Sequence, residues 1–397
     1  MSALRPAGTG SELLAGNLLQ LLKSGGGYFP ALIAAIDAAE HEVHLETYIF
    51  EDDATGRAVA AALSRAARRG LAVRVLVDGF GARDFAGGLG ATLAADGVEV
   101  MTYRPEAGQF GLRRHRLRRL HRKLAVTDCR VAFVGGINVI DDFDDGQEVA
   151  PRFDYAVRVE GPLVARIHAT VRHVWRLVRW ARLGRRPPPP APLPAPPTVS
   201  GTARAALLIR DNLRHRRDIE NAYLSAIAQA RREILIANAY FLPGRRFRKE
   251  LLAAAKRGVV VKLLLQGRSD HMLLHYATLS LYDRMLSAGV RVFEYEPAEL
   301  HAKVAVIDDD WATVGSSNID PFSLLLSREA NLVVRDAEFA GELRASVESA
   351  IDGAAREIRL EDQRHRSWLA RLASAAAYSL VRMLIGVTRY AGKQYSP

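Results

Sequence analysis

Apolar runs recur along this chain in two matching series. Residues 43–49 correspond to 234–241, 69–77 to 257–265, and 97–100 to 289–292. Each run is short and rich in Val, Leu and Ile, the pattern of a strand buried on both faces, and the segments between them have room for helices. Both series therefore read strand, helix, strand, helix, strand, followed by one further strand, residues 304–307 in the second series. That is an α/β unit, and its repetition predicts two tandem α/β halves with mixed sheets that form a pseudo-dimer. The expected boundaries are 1–186 for the first half, 187–200 for a linker, 201–360 for the second half and 361–397 for a C-terminal segment.

The linker rests on composition. Residues 187–197 hold eight of the 17 prolines, which favours extended polyproline II and forbids a packed core. Two helical stripes leave alternatives open. Ile167, Val171, Val174, Val178 and Ala181 share one face, with Arg166, Arg172, Arg176, Arg179 and Arg182 elsewhere. This helix either packs on the first sheet or, through its arginines with Trp175 and Trp180, touches a membrane. Beyond residue 364, Trp368, Leu369, Leu372, Ala376, Leu380, Met383, Leu384 and Val387 trace another apolar face, interrupted by Arg371, Arg382 and Arg389. The arginines argue against spanning, so this segment either lies at a membrane interface or closes the core of the second half.

Charge narrows the partners. Lys plus Arg number 55 against 44 Asp plus Glu, a net +11, which favours nucleic acid or acidic lipid without choosing between them. A single cysteine, Cys129, excludes an intramolecular disulfide and fits a reducing compartment. No run of about 18 uncharged apolar residues is present, so no transmembrane span is expected. Residues 13–22 are apolar but carry Asn17 and Gln20, with only Arg5 before them and no small-residue cleavage pattern, so they are not read as a signal peptide. The expected compartment is the cytoplasm.

The chemistry lies in a duplicated pattern, H-x-K-x4-D-x6-G-[GS]-x-N. It occurs once at His121, Lys123, Asp128, Gly135, Gly136 and Asn138, and again 180 residues later at His301, Lys303, Asp308, Gly315, Ser316 and Asn318. A chance match at one place has a probability of about one in ten million, and duplication makes chance untenable. Residues two apart on a strand share a face, so each His and Lys point the same way. An imidazole beside a fixed ammonium suits an oxyanion: Lys neutralises phosphate oxygens while His attacks or gives a proton. Gly permits close backbone approach, and Asn adds a neutral donor for a phosphate oxygen. One copy supplies half of a phosphoryl-transfer site. The first half also has 24 residues between Gly97 and His121 where the second has 12 between Gly289 and His301. This Arg-rich insertion, residues 113–123, reads as a ramp that holds anionic phospholipid beside the site. The acidic run 141–145 lacks the glycine and glutamate spacing of a calcium loop and reads as a solvated loop.

These paired motifs resemble the HKD motifs of the phospholipase D superfamily. Residues 44–53, 117–123 and 135–138 look like the first half of bacterial cardiolipin synthases, and 236–243, 301–303 and 311–321 look like the second. The resemblance runs from about residue 13 to about residue 360 and implies the phospholipase D fold, with one active site shared by the two halves. It also implies a phosphatidyltransferase that passes a phosphatidyl group through a phosphohistidine to phosphatidylglycerol, at the cytoplasmic face of the bacterial membrane. His121 takes the nucleophile's part and His301 the acid–base part. The motif set includes Lys123, Lys303, Asp128 and Asp308, and the two aspartates are expected to hold local structure rather than touch substrate. Lys123, Lys303, Asn138 and Asn318 would bind the nonbridging oxygens, so neither a metal nor any other cofactor is expected. Asp154 and Glu329 match the family's downstream acidic position, with Glu329 expected on His121 and Asp154 on His301. Anionic phospholipids and the membrane surface are the implied partners, nucleic acid is not expected, and the oligomeric state is open. A hydrolytic phospholipase D or a nuclease is the alternative enzyme, and a non-catalytic lipid-binding protein the alternative of another class.

Overall fold

A computed structural model describes residues 12–105, 118–143, 150–184, 199–211, 214–267, 272–320, 323, 327–364 and 367–387. The proline-rich run 187–197, residues 113–117 of the basic segment and 144–145 of the acidic run lie outside the described residues. The first half contains β1 (Leu14–Lys23), α1 (Ser24–Asp37), β2 (Glu42–Thr47), α2 (Ala54–Arg68), β3 (Ala72–Asp78), α3 (Leu89–Ala95), β4 (Glu99–Tyr103), β5 (Lys123–Thr127), β6 (Val131–Gly135), β7 (Tyr155–Glu160) and α4 (Leu163–Leu183). The second begins with β8 (Ala203–Arg210), α5 (Asp218–Gln229), β9 (Glu233–Asn238), α6 (Arg245–Lys256), β10 (Val260–Gln266), α7 (Met272–Leu286) and β11 (Arg291–Tyr295). It ends with β12 (Lys303–Ile307), β13 (Trp311–Gly315), β14 (Glu329–Arg335), α8 (Ala337–Ala354), β15 (Ala355–Ile358), α9 (Leu360–Arg364) and α10 (Trp368–Val387).

The strands form one sheet in the order β15-β11-β10-β9-β12-β13-β14-β8-β1-β7-β6-β5-β2-β3-β4. Read outward from the β8–β1 seam, β1, β7, β6, β5, β2, β3, β4 answer β8, β14, β13, β12, β9, β10, β11 one for one. The three outer strands of each series run parallel, as crossover helices require, and the rest antiparallel. This is the α/β pseudo-dimer with mixed sheets. Its largest core draws on both halves: Leu124, Val134, Val157 and Ile167 pack with Val304, Val314, Leu332 and Leu343.

The seam was not legible. Residues 14–23 form β1, antiparallel to β7 from Leu18↔Glu160 to Lys23↔Tyr155, and they meet β8 at Leu14↔Ala205 and Asn17↔Ala203. Asn17 is buried there, giving its amide hydrogens to Leu14 O and Ala203 O and accepting from Leu163 N. Each helix packs one face on a core. α4 packs on the first sheet through Val164, Ile167, Val171 and Val174, and Trp175 is buried with Leu76 and Tyr103, so it cannot meet a membrane; Trp180 is exposed. α10 packs through Ala377 and Val381 onto the core of the second half, while its opposite side is exposed.

The motif hairpins are pinned at their far ends. Asp128 and Asp308 adopt left-handed backbone (φ 52° and 48°) in the β5–β6 and β12–β13 turns. Asp128 accepts from the amides of Glu40, His41 and Glu42 at 2.7–2.8 Å, and Asp308 from Arg231, Arg232 and Glu233. Burial would raise the Asp308 carboxyl, but these amides outweigh it and hold it below its ordinary value. The acidic run is not a solvated loop where it is described: Asp142 accepts from Gly25 N at 2.7 Å and Asp141 from Thr55 Oγ1 at 3.0 Å.

Candidate active site

β5 and β12 carry the motif lysines, and the residue two before each is its histidine. The two halves meet where short parallel bridges join Leu120 to Arg328 and Phe153 to Leu300. His121 N donates to Arg328 O at 3.0 Å, and His301 N to Phe153 O at 2.9 Å. Each histidine is thus tied to the other half by its own backbone.

The side chains cross in the same way. His121 Nδ1 lies 3.1 Å from Glu329 Oε2, and His301 Nδ1 lies 2.6 Å from Asp154 Oδ2. A carboxylate on Nδ1 leaves Nε2 of each ring for chemistry. Lys123 Nζ donates to His121 O at 2.7 Å, Lys303 Nζ donates to His301 O, and Lys303 stands 3.9 Å from Asp154. Asn138 accepts from Ile49 N at 3.2 Å, which leaves its amide hydrogens as the available donors, and Asn318 is buried with its Oδ1 unpartnered.

Burial governs the protonation states. It lowers His121, against the pull of Glu329, and lowers His301 well below its ordinary value with help from Lys303. It pushes Lys123 down to about 7, although Glu329 opposes the shift, and lowers Lys303 as well. Asp154 is pushed up to about 6 by burial despite the neighbouring lysines. Both imidazoles are therefore held toward their neutral form, and an arriving phosphodiester anion favours protonation of His and Lys alike.

The glycine and serine of the motif have a steric logic. A Cβ on Gly135 would meet Tyr155 O at 2.5 Å, and one on Gly315 would meet Asn331 Oδ1 at 2.4 Å, so β6 and β13 need glycine to lie against β7 and β14. At the next position the halves differ. A Cβ on Gly136 would stand 2.4 Å from Asp154 Oδ1, whereas Ser316 Oγ donates to Glu329 Oε2 at 2.6 Å. The shorter acid fills the space that the serine occupies opposite the longer one.

Several positioning groups escaped the sequence reading. Asp78, fully buried at the end of β3, accepts from Leu120 N at 2.7 Å, and Gln266, its counterpart at the end of β10, accepts from Leu300 N at 3.0 Å. Both thereby fix the residue before a motif histidine. The signal was present, because these positions extend the 69–77 and 257–265 repeat by one residue. Tyr48 packs edge-on to His121 at 4.9 Å with Lys123 Nζ 5.4 Å from its ring. Arg122, between His121 and Lys123, is buried in a bidentate pair with Glu46. One cluster elsewhere, Glu42, His44 and His168, has ligand-like spacing, but Arg74 Nη1 stands 3.1 Å from Glu42 and 3.3 Å from His44, so a guanidinium already supplies the cation.

The pseudo-twofold fails for charge. On the His121 side stand Arg104, Arg118, Arg119 and Arg328; the matching positions on the His301 side are Glu296, Ala298, Glu299 and Phe153. Arg328 Nε donates to Tyr103 Oη at 3.2 Å, and the Arg104 and Arg328 guanidinium carbons lie 5.6 and 5.9 Å from the Tyr103 ring. Burial lowers Arg118, and Arg104, Arg216 and Arg328 lower it further, as expected where cations crowd. Opposite, Glu299 pairs with Arg152 at 2.7 Å.

The family model described as cardiolipin synthase, PLD-like domain, matches residues 32–168 and 223–351. The chain belongs to the cardiolipin synthase family of PLD-like proteins. It is 40% identical over 377 residues to cardiolipin synthase B of Escherichia coli K12, covering 92% of this chain and 88% of that one. It is 32% identical over 360 residues to cardiolipin synthase A of Pseudomonas entomophila, covering 90% and 73%. Among solved structures, the phosphatidylserine synthase of Haemophilus influenzae superposes with a TM-score of 0.65 at 15% identity, covering 94% of this chain and 97% of that one. The polyphosphate kinase of Porphyromonas gingivalis gives 0.57 at 16% identity, covering 94% and 53%. At such identities the likeness speaks for the fold alone. The two matched ranges contain His121 and His301 respectively.

Proposed function

We propose that this protein is a cardiolipin synthase that joins two phosphatidylglycerol molecules with release of glycerol. The reading is supported above all by the crossed pairs, His121 with Glu329 and His301 with Asp154, which present two oriented imidazoles and two lysines to one site. His121 Nε2, neutral because burial keeps its pKa low, attacks phosphorus. The bond from phosphorus to the glycerol oxygen breaks, and His301 gives that oxygen its proton. The acceptor's primary hydroxyl then loses its proton to His301 and attacks phosphorus, the P–N bond breaks, and His121 is regenerated. Lys123, Lys303, Asn138 and Asn318 hold the nonbridging oxygens, so charge developing on them needs no metal ion. Asp128 and Asp308 act at a distance, by fixing the hairpins.

In the same reading, residues 1–186 and 201–360 are the two catalytic halves, 187–200 a spacer and 361–397 a membrane-facing end. The arginines around His121 suit anionic headgroups, and the enzyme acts as a peripheral protein at the cytoplasmic face of the membrane. The test is incubation of purified protein with phosphatidylglycerol bilayers and identification of products by mass. Cardiolipin and glycerol in equal amounts are expected; phosphatidic acid alone would make the protein a hydrolase. A labelled phosphodiester with a good leaving group should load His121 in the His301→Ala protein and nothing in the His121→Ala protein. Label on His301 in the latter, with none on His121 in the former, would reverse the two roles.

A further inference from the structure

α10 buries one face and leaves the other bare. Ser374, Ala377 and Val381 point inward, and Tyr378 lies half-buried against Arg248 of α6, whose Nη1 donates to its hydroxyl at 2.6 Å. On the opposite side Trp368, Leu369, Leu372, Leu380 and Met383 are 71, 58, 60, 42 and 59% exposed. At about 100° per residue these five fall within an arc of roughly 120° that runs some 22 Å along the helix. Arg371 and Arg382 sit together along one edge of that arc, about 50° from Trp368, with Arg371 Nη2 donating to Gln363 O at 3.2 Å and the Arg382 guanidinium carbon 5.6 Å from the Tyr378 ring. No helix among the described residues is long and apolar enough to cross a membrane. An outward apolar stripe bordered by guanidinium groups is the arrangement of a helix lying in the plane of a bilayer surface, with its cations at the level of the phosphates.

We infer that α10 docks the enzyme on an anionic lipid surface, seating Trp368, Leu372 and Met383 below the headgroups and Arg371 and Arg382 among the phosphates. The inference rests on the proposed phospholipid substrate and names the face that meets it. Placement supports the occupant. α10 packs on α7, which is tied to the segment after β9 by Thr278 Oγ1 donating to Phe241 O, and that segment is tied to the motif strand by Ala239 N donating to Ala302 O next to His301. The cationic edge and the net charge of +11 complement an acidic membrane.

The experiment uses the full chain with vesicles of equal parts phosphatidylglycerol and phosphatidylcholine, with phosphatidylcholine vesicles as control. Flotation of the unaltered protein should be strong on the mixed vesicles, weaker in 0.5 M salt and weakest on phosphatidylcholine. Leu372→Glu with Met383→Glu should lower the bound fraction at least tenfold, whereas Leu372→Phe with Met383→Leu should keep it. Both side chains face solvent, so the core is untouched, and turnover of a short-chain phosphatidylglycerol below its micelle concentration should match the unaltered enzyme. Equal flotation of the Glu variant would overturn the inference while leaving the catalytic reading standing; failure of the unaltered protein on the short-chain substrate would instead count against that reading. A dimer in solution that the Glu pair dissociates, with flotation unchanged, would assign the stripe to a second copy of the chain.

Discussion

Replacing Gly136 by Ala tests whether the histidine–acid pairs depend on the residue opposite them. The added methyl would lie 2.4 Å from Asp154 Oδ1 and 2.6 Å from Oδ2. The backbone cannot retreat, because Gly136 N is bonded to Tyr155 O at 2.9 Å and Gly135 already touches Ala156. The carboxylate must therefore move by roughly 1 Å to restore ordinary contact. Its 2.6 Å bond to His301 Nδ1 then passes out of hydrogen-bonding range. A charge-assisted bond of this kind contributes about 1.5–3 kcal/mol, which on the transition state is a loss of roughly 10- to 150-fold in kcat. Without the carboxylate, His301 also holds its proton less well, so the alkaline limb of the rate profile should shift to lower pH. The assay is steady-state transfer on phosphatidylglycerol across pH, with thermal denaturation confirming the fold. Ser316→Ala provides the contrast, since it removes the 2.6 Å bond to Glu329 Oε2 but adds no atom, and should cost less than about tenfold. Wild-type kcat and an unshifted profile in a folded Gly136→Ala protein would refute the steric argument.

Asp128→Ala should lower stability by about 3 kcal/mol through loss of three amide bonds, while kcat per folded molecule stays within a few-fold; inactivity at full stability would place Asp128 in the chemistry instead. Activity should persist in excess chelator, and loss restored by one divalent ion would sink the metal-free account. Burial pushes Lys123 down to about 7, so it carries its charge below about that pH and loses it above, and affinity for an uncleavable phosphodiester lipid should weaken as pH rises through neutrality. Isothermal titration from pH 6 to 9 measures this, and constant affinity would contradict the buried-lysine argument. Arg328→Gln and Arg118→Gln should raise KM for phosphatidylglycerol more than for zwitterionic phosphatidylcholine, because they alter the field on the His121 side; equal effects on both substrates would mean a structural role.

The sequence by itself determined the duplicated unit, the alternation of strands and helices that leads to each motif strand, and the His-x-Lys spacing of His121, Lys123, His301 and Lys303. These are local facts: a buried strand shows as an apolar run, and two residues on one strand share a face wherever that strand lies. Only the tertiary structure decided how the halves join. β1 carries leucines without a clear period and a buried asparagine whose partners, Ala203 and Leu163, are distant in the chain, so nothing local marks it as the seam. The match of Gly136 to Asp154 and of Ser316 to Glu329 is likewise invisible until β6 meets β7 and β13 meets β14. Asp78 and Gln266 stood in plain view one residue beyond the repeat, yet a side-chain oxygen that accepts backbone amides leaves no mark that separates it from any other strand-end residue. α10 showed why its two readings could not be settled from pattern alone, since an apolar face around most of a helix can both close a core and face outward. The fold divides that face between the two.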